Sequence, residues 1–155
     1  MKIVEQRVSA GNRPIFDLDE FLSRPLFAHL ATSSRHGPRE SPVWFLWENG
    51  SLWIIGGDTF PKTLRDDPRC AIGIVDFDVA TAKVHHVGFR GTATVLPYDV
   101  TIGKKILARY FGPHEERWDR RFHDVRTGQT DYPLIRFTPE TVVIRDQSYS
   151  PCIEP

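Results

Sequence analysis

Residues 36–69, HGPRESPVWFLWENGSLWIIGGDTFPKTLRDDPR, hold the reading on which the fold turns. Pro42 to Trp47 is apolar throughout, which predicts a strand covered on both faces. Asn49-Gly50 supplies the positive φ angles of a two-residue hairpin turn, and Ser51 to Ile55 returns beside the first strand. Gly56-Gly57-Asp58 then breaks the pattern. Thr59 to Asp66 is short and charged, with Pro61 suited to a first helical turn, and it runs into Asp67-Pro68-Arg69. A hairpin wall is thus joined to a short basic helix.

Working outward, Asp17 to Leu22 starts with acidic residues and predicts a short helix ending before Pro25. Leu26 to Thr32 reads as a strand, followed by a turn from Ser33 to Pro38. Downstream, Cys70 to Phe77 and the long run Val84 to Leu96 are strands separated by a loop over Asp78 to Lys83. Gly88 and Gly91 mark a bulge or a tight barrel bend in the second. Val100, Ile102, Ile106, Leu107, Tyr110 and Phe111 recur at helical spacing, and Gly112-Pro113 stops that helix. A second, more exposed helix is expected over His114 to Val125 around Trp118 and Phe122. Leu134 to Phe137 and Thr141 to Arg145 give two last strands around Pro139-Glu140. The total is about seven strands, mostly linked by short turns, and a sheet of that kind commonly closes on itself to remove its edges. The expected fold class is mainly β, an antiparallel β-barrel with α additions.

The chain has 155 residues and a hydrophobic content of 40%, enough for one domain with its own core. A single domain over 1–155 is expected, with its core at about 20–147. Lysine plus arginine and aspartate plus glutamate stand at 20 each, so no overall field draws the chain to nucleic acid or to an acidic membrane. Any bound anion has to be held by a local cluster. Met1 to Arg13 lacks an apolar run of signal-peptide length, and nowhere does an apolar run approach ~20 residues, so a cytoplasmic protein is expected. Cys70 and Cys152 cannot make a disulfide framework; they read as a buried strand thiol and a free thiol in the tail.

No Gly-x-Ser-x-Gly elbow, no phosphate-binding glycine loop ending in Lys-Ser or Lys-Thr, and no strand-turn-helix GxGxxG is present. His85 and His86 are neighbours on a strand and point to opposite faces, which argues against a shared metal ion. His86 has either a structural role or one facing a cofactor, and His29 reads as a hydrogen-bonded core histidine. Thr59, Lys62, Thr63 and Arg65 follow a strand and open a helix, where free N–H groups and charged side chains favour a phosphate. The alternative is a solvated face on which Lys62, Arg65 and Arg69 balance Asp58, Asp66 and Asp67. Trp44, Trp47 and Trp53 are open to two readings as well, a core or interface set and a platform for a flat ring.

Taken in order, Leu30-Ala31-Thr32, Gly37-Pro38, Pro42-Val43-Trp44-Phe45, the Asn-Gly hairpin, the basic segment with Leu64, Asp67-Pro68-Arg69, Gly91-Thr92-Ala93 and Phe137-Thr138-Pro139-Glu140-Thr141-Val142-Val143 resemble the pyridoxamine 5′-phosphate oxidase-like flavin-binding split barrels. The resemblance runs over roughly residues 20–147 and implies an FMN-binding split barrel of antiparallel Greek-key type. It implies a homodimer with two FMN sites at the subunit interface. It assigns the phosphate to Lys62, Thr63, Arg65 and Thr59, and the ring to Ser41, Pro42, Val43 and Trp44 and to Ile55, Gly56 and Gly57, with His86 nearby. Many members read Lys-x-x-Asn-Leu before Asp-Pro-Arg; here Phe60 and Thr63 stand at the Lys and Asn positions. Ser41 stands where an arginine opens the second strand of the vitamin B6 oxidases. The Arg-Leu-His-Asp-Arg segment near their C-terminus has no counterpart, which argues against pyridoxamine phosphate as substrate.

The expected function is an FMN-dependent oxidoreductase acting on a small molecule, in which the cofactor carries hydride transfer and the protein orients the substrate. One alternative is a deazaflavin-dependent reductase using the same phosphate cluster. Another is a split barrel that binds flavin or haem without turnover, the haem form needing His29, His85 or His86 as axial ligand. A cofactor-free dimeric scaffold with tryptophan anchors is the third.

Overall fold

The computed structural model describes residues 1–7 and 15–151. In chain order the elements are strand β1 (Lys2–Arg7), helix α1 (Leu18–Ser23), strands β2 (Ala28–Ser34), β3 (Gly37–Val43), β4 (Leu46–Glu48) and β5 (Ser51–Ile55), helix α2 (Phe60–Asp66), strands β6 (Arg69–Asp78) and β7 (Lys83–Leu96), helix α3 (Val100–Phe111), two 3-10 turns (Glu115–Arg117 and Arg120–Phe122), helix α4 (His123–Thr127) and strand β8 (Leu134–Asp146). The strands form one eight-stranded sheet in the order β3-β2-β6-β7-β8-β5-β4, with β1 pairing to β8 off that path. All pairs are antiparallel except β1 with β8. No helix among the described residues is long and apolar enough to cross a membrane.

Alternation sorts each strand into two faces. Val87, Phe89 and Ala93 of β7, Ile72 and Ile74 of β6, and Val142 and Ile144 of β8 are buried in the main core with Leu30, Leu52, Ile54 and Phe137. A second cluster joins Leu107, Trp118 and Val125 to Trp44, Tyr98, Phe111 and Phe122. Asn49 (φ 53°) and Gly50 (φ 70°) form the expected hairpin turn between β4 and β5. Asp99 caps α3 by accepting from the N–H groups of Thr101 and Ile102, and Gly112 (φ 85°) ends it.

Several expectations need correction. The apolar run Pro42–Trp47 is two strands instead of one: β3 stops at Val43 and β4 begins at Leu46. Between them the Phe45 ring is buried, and its N–H donates to the Tyr110 hydroxyl (3.1 Å) instead of to a neighbouring strand. The run is apolar because the chain turns a corner through the core. The two last strands are one, β8, which passes through Pro139 where the register with β7 shifts at Arg90/Gly91. A proline is tolerated at such an irregularity because no ladder donor is required there. β1, which the sequence did not announce, brings the strands to eight instead of seven. The second helix is only α4, preceded by the two 3-10 turns; Trp118 sits between these in extended conformation, its indole N–H donating to the Gly112 carbonyl (2.9 Å). His29 is not a core residue but is exposed on the outer face, where its Nδ1 meets Glu40. Cys70 is partly buried, and burial pushes its thiol up to about 12; Cys152 lies outside the described residues.

One consequence of this topology positions everything else. β3 and β4 are the two ends of the hydrogen-bonded path, yet only Trp44 and Phe45 separate them in the chain. The ends of the sheet are therefore brought together covalently without being paired, which is the split of the barrel.

Candidate functional site

A cavity of about 440 Å³ opens beside that split. Pro42, Val43 and Trp44, from the end of β3 and the corner, form one part of its wall, and Ile55, Gly56 and Gly57, from the end of β5, form another. Gly56 is required by a close approach: its N–H donates to the Pro133 carbonyl (2.7 Å), and a Cβ there would lie 2.8 Å from that oxygen. Ile106 and Leu107 of α3, with Phe122 and Val125, make the opposite, helical wall. Phe27, Phe60, Arg121 and Tyr132 complete the lining.

Trp44 is fixed in a stack of rings. Its indole lies 4.6 Å from Tyr110 at 9° and 5.5 Å from Phe122 at 24°, with Phe111 edge-on at 5.3 Å. Tyr110 is held in turn, its hydroxyl donating to the Leu26 carbonyl (2.8 Å) while accepting from Phe45. Burial, the main influence on that phenol, raises its pKa and keeps it protonated as a donor. Packing and hydrogen bonds within the chain therefore hold the Trp44 part of the wall in place.

A second, polar cavity of about 510 Å³ lies between the β2–β3 turn and α2, lined by Ser33, Ser34, Arg35, His36, Lys62, Thr63, Asp66 and Asp67. Arg69 bonds Asp67 through two guanidinium nitrogens (3.0 and 2.8 Å), and these side-chain bonds hold that carboxyl at about 2. Lys62 and Arg35 then face one other carboxylate, Asp66. The two cavities share no lining residue, but Phe60 of the first and Thr63 of the second are one helical turn apart on α2, about 4.5 Å of axial rise.

The twelve residues singled out from sequence are thus distributed unevenly. Six of them, Pro42, Val43, Trp44, Ile55, Gly56 and Gly57, line the apolar cavity, and Lys62 and Thr63 line the polar one. Ser41 lies on β3 opposite Leu30, Thr59 precedes α2 without a capping bond, and Arg65 is exposed in the last turn of α2; none of these lines either cavity. His86 is on the outer face of β7, where Arg145 Nη1 donates to its Nδ1 (3.0 Å). Burial, and then the Arg145 charge, lower its pKa, so the ring is neutral and can accept. His85, on the other face, stacks on Phe16 at 4.3 Å. None of His29, His85 and His86 lines the apolar cavity. The sequence reading missed the helical wall and Arg121, which sits in a charged run that reads as a solvated face.

The family model described as pyridoxamine 5′-phosphate oxidase matches residues 17–145. The chain belongs to the pyridoxamine 5′-phosphate oxidase family. Solved structures share its fold at low identity. A conserved hypothetical protein from Mycobacterium tuberculosis is 18% identical over 90% of each chain, with a TM-score of 0.69. An F420 reductase is 23% identical over 80% of this chain and 94% of its own (TM-score 0.60). A haem storage protein from Vibrio cholerae is 17% identical over 79% and 87% (TM-score 0.59). No curated protein matches. Phe60, at the position where the resemblance implies a lysine, contributes to the apolar lining.

Proposed function

We propose that the chain is a flavin-dependent oxidoreductase, with FMN as cofactor, acting on a small molecule. The observation that carries this reading is the convergence of Pro42–Trp44 and Ile55–Gly57, distant in sequence, on one apolar cavity at the split of the barrel. Their backbone and the ring stack around Trp44 form a largely apolar wall, the kind of surface a fused ring packs against. Thr63, about one helical turn from Phe60, and its neighbour Lys62 would hold the phosphate in the polar cavity, Lys62 by a charge-assisted hydrogen bond. When bound, the flavin supplies hydride transfer. The residues here bind and orient; none is needed as a general acid or base for that role.

The functional unit in this proposal is a homodimer with the cofactor sites at its interface. The outer face of β6 and β7 supports it, being flat at Ala71, Gly73 and Gly88 and carrying Val75 and Phe77, which are 48% and 56% exposed.

The test is the absorbance spectrum of the purified protein, with titrations of FMN and of a deazaflavin. FMN is expected to bind at micromolar concentration or tighter. Lys62→Ala should weaken it by at least about tenfold, the scale of a lost hydrogen bond to a charged group, about 1.5 kcal/mol or more. A protein that binds neither compound overturns the reading, and tighter binding of the deazaflavin reassigns the cofactor.

A further inference from the structure

We infer that the substrate is a planar, largely apolar molecule bearing one anionic group, a carboxylate or its isostere, and that Arg121 is the residue that selects it. The inference rests on the proposal that the cavity at the split is the reaction site, and deepens it by naming what lies against the helical wall. Among the described residues no aspartate or glutamate contributes to the cavity lining, and Arg121 is the one cationic side chain in it. A cationic amine entering there loses water and meets a guanidinium, while the neighbouring carboxylate, Asp119, is already engaged by Arg121. An anion meets the same guanidinium as a donor.

The placement of Arg121 is built rather than incidental. Its carbon lies 5.9 Å from the centre of the Phe122 ring, Phe122 stacks on Trp44, and Trp44 stacks on Tyr110, so the guanidinium ends a continuous ladder of rings. Asp119 holds the group in this position. Its Oδ2 accepts from Arg121 Nε (3.2 Å) and Nη2 (3.0 Å), and its Oδ1 accepts from the Arg121 backbone N–H (2.9 Å). Among the described residues nothing bonds Nη1, so one edge of the fork is left to a ligand. The side chain is 81% exposed, so it is reachable from solvent. Because Asp119 already offsets the charge, recognition works through a directed hydrogen bond to a preorganised donor and not through long-range attraction. The apolar body of the ligand then lies beside the Trp44–Phe122 stack, between Ile106, Leu107 and Val125 of the helical wall and Pro42, Val43 and Ile55 of the strand wall.

The experiment uses three ring probes of matched shape, 2-naphthoate, 2-naphthamide and 2-naphthylmethylamine, titrated into the full chain with and without added FMN. Tryptophan fluorescence reports binding next to Trp44, and flavin absorbance separately reports cofactor loading. The carboxylate is expected to bind at least about tenfold tighter than the amide, and the amine most weakly. Arg121→Gln should abolish the carboxylate preference while leaving the affinity for the amide within about twofold, and Arg121→Lys should restore part of it. Equal affinity for carboxylate and amide in the unmodified protein, a preference that survives in Arg121→Gln, or no binding of any probe overturns the inference. Charge discrimination in a protein that fails to load FMN sustains the inference about the cavity and removes the flavin reading. FMN loading without discrimination does the reverse.

Discussion

At the scale of single residues, Gly91 shows how a backbone contact fixes the core. It sits where the β7–β8 register shifts, and a Cβ at this position would collide with the Thr138 carbonyl oxygen and come within 2.9 Å of Pro139 Cα. Backbone cannot swing aside as a flexible side chain can. Gly91→Ala must therefore push β7 away from β8 along their longest shared ladder. The expected cost is about 1–3 kcal/mol, the range of an overpacked interior, read as a lower urea midpoint at unchanged m-value. Gly73→Ala serves as the control, since its nearest neighbour, His86 Nε2, is 3.8 Å away and the contact is ordinary. Equal stability of the two variants would show that β7 and β8 are free to adjust at the bulge.

At the scale of elements, the corner between β3 and β4 depends on α3 through one hydroxyl. Tyr110 accepts from Phe45 N–H and donates to the Leu26 carbonyl, so it closes the sheet's two ends over the start of β2. Tyr110→Phe leaves both backbone groups without that partner while keeping the ring that stacks on Trp44. A loss of about 1–3 kcal/mol is expected from the unsatisfied pair, and weaker FMN binding should accompany it because the Trp44 wall loosens. Thermal unfolding and FMN titration on the same variant check both, and an unaltered melting temperature would remove the hydroxyl from this role. Elements governed by local rules were legible in the sequence: the Asn49-Gly50 turn, the helix from Asp99 to its stop at Gly112, the Gly91 irregularity and the end of the returning hairpin strand at Ile55. What long-range contacts decide was not legible. An apolar hexapeptide looks alike as a doubly covered strand or as a corner, and the partners that hold the corner, Tyr110 among them, lie some 65 residues beyond Phe45. β1 forms only through pairing with β8, and Arg121 acquires a cavity only once the 3-10 turn packs Phe122 on Trp44.

At the scale of the whole molecule, the question is what covers the outer face of the sheet. Along β6 the side chains of Val75 and Phe77 point away from the core, and across β7 the row continues through Gly88 and His86, with Arg145 of β8 beside it. Exposed Val and Phe on a face floored by glycine and alanine form a surface that another flat surface can approach closely, and the proposed dimer places a second copy there. Isologous pairing doubles every substitution across the interface, so two charges per chain become four at the contact. Sedimentation equilibrium is therefore expected to show a dimer for the unmodified protein and, at the same concentration, a monomer for the double variant Val75→Glu with Phe77→Glu; a monomeric unmodified protein overturns the proposed dimer. The far-UV circular dichroism of the double variant should stay the same, because both side chains lie outside the core. If the cofactor sites lie at that interface, the monomeric variant also loses FMN affinity although Lys62, Thr63 and Trp44 are intact. A double variant that stays dimeric assigns the contact to another face. One that becomes monomeric yet binds FMN as before keeps the interface and moves the whole flavin site into a single chain.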